Sequence, residues 1–290
     1  MSGDAPIVDV LGVHLERLVV VTGQLFESTQ EGELVVIGGL AMVCRCASAV
    51  RATDDVDTVS GPAGAAGVVR ALGAGTLLSE ESPGVVGDGT ATVSIDGVAV
   101  EVTNEAAVLR VDGIKLDVIA TLPLPPDAFD GVDFKGQLFM AAHRWALESA
   151  APVTLRSRSA TATVMVATPA ALMAMKLHAL QDRRSGRPAK SASDIEDIVR
   201  LLSEHNTGGE LAAEIGAAPY GLGALVVESA QRLLIDESTI RLRSLIVDGS
   251  PTAGAIDPLE FADLCAQFVD GLRERTASPG RESRPIQEPT

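Results

Sequence analysis

Residues 34–60 read LVVIGGLAMVCRCASAVRATDDVDTVS: four apolar residues, two glycines, a run of small and apolar side chains, then Asp54, Asp55 and Asp57 crowded together. Leu34–Ile37 predicts a short buried strand, Leu40–Val50 a helix, and Asp55–Val59 a second strand. Side chains two apart on a strand share a face, so Asp55 and Asp57 present two carboxylates together while Val56 turns into the core. That pair can hold a divalent cation, or two of them about 3.5–4 Å apart, as in-line displacement at phosphate requires. Two solvated aspartates that merely open a strand would look the same. Gly38 and Gly39 tip the balance: between a strand and a helix, two glycines let backbone approach a ligand, and the helix N-terminus offers N–H groups to a phosphate. No GxxxxGK[ST] follows, and the third glycine of a dinucleotide fingerprint is missing.

Outward from this stretch, residues 8–28 carry Val10, Leu11, His14, Leu15, Leu18 and Val19 at helical spacing, and Gly64–Leu72 also reads as helix. The chain then turns to β structure. Ala91–Ile95 and Val98–Val102 flank one Asp-Gly turn, and Ala107–Val111 and Ile114–Ile119 flank another, a strong hairpin signal. In IKLDVI the charged Asp117 alternates with Leu116 and Val118, so it needs a partner and supplies a third carboxylate. TLPLPPD (121–127) is a break. Beyond it, Thr161–Val166 predicts a strand, and Thr168-Pro169 opens a helix running to Arg183. A second helix is expected over Ala192–Leu202, with Ser193 and Glu196 as its capping box. The expected class is α+β: an αβ domain over 1–125 with a mixed sheet, a mainly helical domain over 126–275, and a disordered tail over 276–290.

The chain has 290 residues, 46% of them hydrophobic, ample for a buried core. It shows neither a run of about 20 apolar residues nor a basic, apolar leader, which predicts a cytoplasmic protein without a membrane partner. Cys44, Cys46 and Cys265 form no CxxC pair, so they read as reduced packing residues. A net charge of −16 excludes a protein that coats DNA or RNA nonspecifically. The charge is uneven, however: residues 1–140 carry −13, 141–200 carry +4 and 201–290 carry −7. A polyanionic substrate would dock on the middle segment.

That segment holds a lysine in the wrong place. On the helix from Pro169, Lys176 projects within the apolar sector of Leu172, Met173, Leu177 and Leu180, with Arg183 at nearly the same angle. On the next helix Asp194 projects at the edge of the face made by Ile195, Ile198, Leu201 and Leu202. One reading is a structural Lys176–Asp194 ion pair. The other is a triphosphate-binding lysine held by Asp194, with Lys190 and the loop arginines clamping phosphates. Arg51 and Thr53, just before the aspartates, can either touch a phosphate or cap the turn.

Gly38-Gly39, RATDDVD (51–57), KLHALQDR (176–183) and KSASDIEDIVRLL (190–202) together resemble, in order and spacing, the motifs of the AbiEii-type nucleotidyltransferase toxins, which include the mycobacterial MenT toxins. The resemblance covers residues 34–202. It implies a polymerase-beta-like nucleotidyltransferase fold, an NTP substrate, and Mg²⁺ or Mn²⁺ as cofactor. For the MenT branch it implies tRNA as acceptor at its 3′ end, a block of translation, and a cognate antitoxin as partner. By position, Gly38 and Gly39 match the loop at the phosphates, Asp55 and Asp57 the metal pair, Lys176 the NTP-contacting lysine, and Asp194 the acidic residue of the last motif. Where that motif often reads Arg-Asp, this chain has Ser193-Asp194.

The residues therefore suggest that Asp55, Asp57 and Asp117 hold the metal, that Asp117 accepts a proton from the acceptor hydroxyl, and that Gly38, Gly39, Arg51, Thr53, Lys176, Arg183 and Lys190 face the nucleotide. Two alternatives share these motifs. A small-molecule nucleotidyltransferase of the antibiotic-modifying sort suits the acidic charge, and a non-catalytic nucleotide-binding module remains a third reading.

Overall fold

The structure is a computed structural model and describes residues 5–10, 12–27, 29, 34–47, 53, 55–61, 91–95, 98–102, 106–111, 114–182, 188–239 and 257–277. The chain divides into two compact units, Met1–Met175 and Lys176–Thr290.

The first unit is built on one mixed sheet, with nine strands among the described residues. In chain order these are β1 (Ile7–Asp9), β2 (Leu34–Ile37), β3 (Asp55–Ser60), β4 (Ala91–Ile95), β5 (Val98–Val102), β6 (Ala106–Val111), β7 (Ile114–Ala120), β8 (Ala151–Arg156) and β9 (Thr161–Val166). Across the sheet they run β1-β8-β9-β2-β3-β7-β6-β5-β4. All four residues of β2 are buried, as expected of an apolar strand with neighbours on both edges. It lies antiparallel to β3 and parallel to β9, and β3 lies parallel to β7. β4 pairs antiparallel with β5, and β6 with β7, as the sequence suggests.

Among the described residues, this unit has three helices before its last one: α1 (Val13–Glu27), α2 (Gly38–Arg45) and α3 (Phe134–Ser149). Leu18, Val21, Thr22 and Leu25 bury one face of α1 at helical spacing. The helix expected from residue 8 starts later, because Ile7–Asp9 pairs with β8 as a parallel edge strand and Gly12, at φ +118°, turns the chain into α1. After the double glycine, α2 stops at Arg45 and not at Val50, with Cys46 extended. Arg45 explains the stop: its guanidinium donates to the carbonyls of Ala151, Val166 and Ala167 at 2.7–3.0 Å, tying the helix end to β8 and β9. Neither α3 nor β8 was expected from the sequence. Asp133 caps α3 by accepting from the Gly136 N–H at 2.8 Å, and Leu138, Ala141, Ala142, Trp145 and Ala146 face the core.

Because β8 and β9 complete the sheet, the first unit continues well past the proline-rich break to Met175, and the division expected after residue 125 does not fall there. Thr121 instead anchors the break to the sheet: its N–H and its hydroxyl both donate to the Ser60 carbonyl at 2.9 Å. The helix α4 (Pro169–Asp182) carries the chain from one unit into the other.

The second unit is helical: α5 (Pro188–His205), α6 (Glu210–Gly216), α7 (Leu222–Ala230), a π-helical turn over Gln231–Asp236, and α8 (Pro258–Thr276). Ile195, Ile198, Leu202, Leu211, Ile215, Val226, Leu233, Phe261, Phe268 and Leu272 form its core. Asp257 caps α8 through the N–H groups of Leu259 and Glu260, with Pro258 at the first helical position. The helix expected from Ala192 begins at Pro188, so the proposed capping box does not form. Ser193 lies inside α5, where its hydroxyl donates to the Lys190 carbonyl at 3.0 Å. Cys44, Cys46 and Cys265 form no disulfide, and burial pushes the thiols of Cys44 and Cys265 up to about 12. The helix expected over Gly64–Leu72, residues 278–290 of the tail, and Arg51, Asp54 and Arg183 lie outside the described residues. Among the described residues no helix is long and apolar enough to cross a membrane.

Candidate active site

Strands β3 and β7 run parallel and in register, so Asp57 stands opposite Asp117 and Asp55 opposite Lys115. Alternation sends Val56, Leu116 and Val118 fully into the core and leaves the four charged side chains half-buried on the other face. One carboxylate oxygen from each of Asp55, Asp57 and Asp117 can be chosen so that all three lie within 4.8 Å of one another.

Each member of the cluster is held by a different neighbour. The buried Thr53 hydroxyl lies 3.0 Å from the Asp55 carbonyl and 3.1 Å from Asp55 Oδ1, so it restrains both the backbone and the carboxylate. The Lys115 ammonium pairs with Asp117 Oδ2, while Asp117 Oδ1 is buried without a hydrogen-bond partner. Asp57 packs directly on Gly38, the first residue of α2. Gly38 has φ +63°, and a Cβ built there would lie 2.9 Å from both Cβ and Cγ of Asp57. Gly39 follows in the first turn of the helix, whose N-cap, Ile37, is extended and makes no side-chain cap.

This arrangement explains both the aspartates and the first glycine. Three carboxylates this close repel one another. A divalent cation with hard oxygen ligands suits such a set, and the buried, unpartnered Asp117 Oδ1 is the kind of atom a metal would satisfy. Beside the carboxylates, the uncapped start of α2 offers amide N–H groups and the positive end of a helix dipole. An anionic group bridging the metal and α2 would be neutralised from both sides. Gly38→Ala tests how tightly this is built. The left-handed backbone costs an alanine about 1–2 kcal/mol, and its Cβ must also push Asp57 aside. We expect a clear loss of thermal stability together with weakened metal binding, measured by calorimetric melting and metal titration; an alanine variant matching wild type in both would contradict the packing.

In the second unit, Lys176 and Asp194 come together as the sequence suggests, with Nζ to Oδ1 at 3.0 Å. A second carboxylate, Asp197, lies nearer, at 2.6 Å, and is itself approached by Arg200 at 3.7 Å. Burial pulls the Lys176 ammonium toward a lower pKa, but the charges and hydrogen bonds of Asp194 and Asp197 outweigh it, so its pKa is raised. Lys190 sits exposed near the start of α5.

The sequence reading missed two residues. Lys115 shares a strand face with Asp117, a two-residue spacing readable once the strand is assigned. Asp197 follows Asp194 by one helical turn, the spacing at which two side chains reach one partner.

The family model described as "Nucleotidyl transferase AbiEii toxin, Type IV TA system" matches residues 20–277. That span takes in β2, α2, β3 and β7 with their carboxylates, and α4 and α5 with Lys176, Asp194 and Asp197. No curated protein and no solved structure shows a significant match to the chain. With a match over most of its length, the chain belongs to the AbiEii family of nucleotidyltransferase toxins from type IV toxin–antitoxin systems.

Proposed function

We propose that the protein transfers a nucleotide from an NTP to the 3′ end of tRNA, using Mg²⁺ or Mn²⁺ held by Asp55, Asp57 and Asp117, and so blocks translation in the cytoplasm until its antitoxin restrains it. The observation that carries this reading is the carboxylate cluster beside the Gly38 turn at the start of α2. Bound there, the metal would neutralise charge on the triphosphate and favour ionisation of the attacking hydroxyl. Thr53 restrains Asp55, and Gly38 keeps the approach to Asp57 open. Gly38 and Gly39 offer the first N–H groups of α2 to phosphate oxygens. Asp117 completes the metal site and accepts the proton of the acceptor hydroxyl. Lys176, Arg183, Lys190 and Arg51 keep the nucleotide-contacting roles that the family motifs suggest, and Asp194 fixes Lys176.

A second reading, a small-molecule or other cationic acceptor, draws support from the surface charge. Of the basic residues available to guide tRNA, Arg156 is paired with Asp9 through Nε and Nη2 at 2.6 and 2.8 Å, and Arg144 with Glu148 at 2.6 Å. Each pairing reduces the charge offered to a polyanion.

Purified protein incubated with Mg²⁺, each labelled NTP in turn and total tRNA distinguishes the readings. Label entering tRNA with wild type and not with Asp55→Ala is the expected result. Metal-dependent NTP binding without transfer to tRNA would overturn the tRNA assignment and favour another acceptor.

A further inference from the structure

Lys115 contacts the carboxylate cluster, and no motif of the sequence assigns it a task. Its ammonium pairs with Asp117 Oδ2, its backbone stands opposite Asp55, and its side chain is 36% exposed against 24% for Asp117. The two oxygens of Asp117 are thus in different states: Oδ2 is taken by Lys115, and Oδ1 is buried with no hydrogen-bond partner.

We propose that Lys115 is an internal counter-ion that occupies the carboxylate cluster in place of a metal and is displaced when metal and nucleotide arrive together. The inference rests on the metal-binding reading of Asp55, Asp57 and Asp117. A metal ion arriving alone on Asp117 Oδ1 meets the Lys115 ammonium on Oδ2 of the same carboxylate, two like charges on one strand face. A polyphosphate arriving with the metal removes that conflict, because the released ammonium, on a long flexible stem and partly in solvent, finds anionic oxygens to pair with. The carboxylates are therefore shielded from adventitious divalent ions, and metal and nucleotide bind cooperatively. Lys115 acts through Asp117 and the incoming phosphates, as a positioning residue.

Mn²⁺ titration of the full chain, followed by the electron paramagnetic resonance of the free ion, tests this on wild type, Lys115→Met, Lys115→Arg and Asp57→Asn, with and without non-hydrolysable NTP analogues. Lys115→Met is expected to bind Mn²⁺ alone about tenfold more tightly, the scale of one unit charge removed from a partly solvated neighbour. The extra affinity contributed by the analogue should shrink in that variant, while Lys115→Arg stays close to wild type. A purely structural lysine would not tighten metal binding when removed. Unchanged Mn²⁺ affinity in Lys115→Met, with the affinity of Asp57→Asn weakened, overturns the counter-ion role alone. Unchanged affinity in Asp57→Asn overturns the metal site itself.

Discussion

Asp57→Asn is expected to abolish nucleotidyl transfer, by at least about a hundredfold, while the protein stays folded. The side chains have the same shape, so the contact with Gly38 survives. What changes is charge. Asp57 is one of three carboxylates whose oxygens approach within 4.8 Å, a cluster that repels itself. Neutralising one member relieves repulsion in the fold and at the same time takes a carboxylate from the proposed metal site. Sites built for chemistry commonly have this property: they are strained where they work. A melting curve and a transfer assay on the same sample read both effects. Full transfer in Asp57→Asn would remove this carboxylate from the chemistry. Retained inactivity with a large drop in melting temperature would point to a structural aspartate instead.

Much of the site was legible because strand alternation and parallel register are simple rules. Once Asp55–Val59 and Ile114–Ile119 were read as strands, Asp55 and Asp57 had to share a face, and Asp117 had to be the charged member of an otherwise buried strand. The sequence could not reveal that the two strands are neighbours in register, because strand order depends on contacts between distant segments. Lys115 shares a face with Asp117 by alternation alone, but the rest of its setting depends on that pairing. Its meaning comes from Asp55 across the ladder as much as from Asp117 two residues on. The double glycine was readable as a loop at a ligand, but its strict requirement at Gly38 lies in Asp57, nineteen positions away in the chain, packing on its α-carbon. The middle of the chain was harder. A proline-rich run looks like a linker, yet Thr121 pins it to Ser60, and the strands beyond it return to the same sheet. Hairpin β8–β9 could join that sheet only through pairing with β2 and β1, which no local pattern announces.

Lys176→Met is expected to destabilise the second unit by about 3–5 kcal/mol, the usual loss when one partner of a buried ion pair is removed. Methionine fills the stem's place among apolar neighbours, so the loss is not one of packing. It arises because Asp194 and Asp197, only 2% and 0% exposed, are left as two buried carboxylates without the ammonium that approaches both. Asp197→Asn should cost less, since the Lys176–Asp194 pair remains, and the Lys176→Met, Asp197→Asn double variant should recover part of the loss. The pH dependence has a definite sign. Burial works against the charged lysine, but Asp194 and Asp197 more than compensate and raise its pKa above 10.5. A group whose pKa is raised by folding contributes stability that is complete below its unfolded value and fades as pH climbs through the folded value. The gap between wild type and Lys176→Met should therefore hold steady through neutral pH and narrow only in strong alkali, as denaturant melts across that range would show. The same variant separates the two readings of this lysine. If its charge is spent on Asp194 and Asp197, the loss appears in stability, and metal–NTP affinity measured below the melting range is preserved. If its charge serves the nucleotide, affinity falls at temperatures where the variant is fully folded.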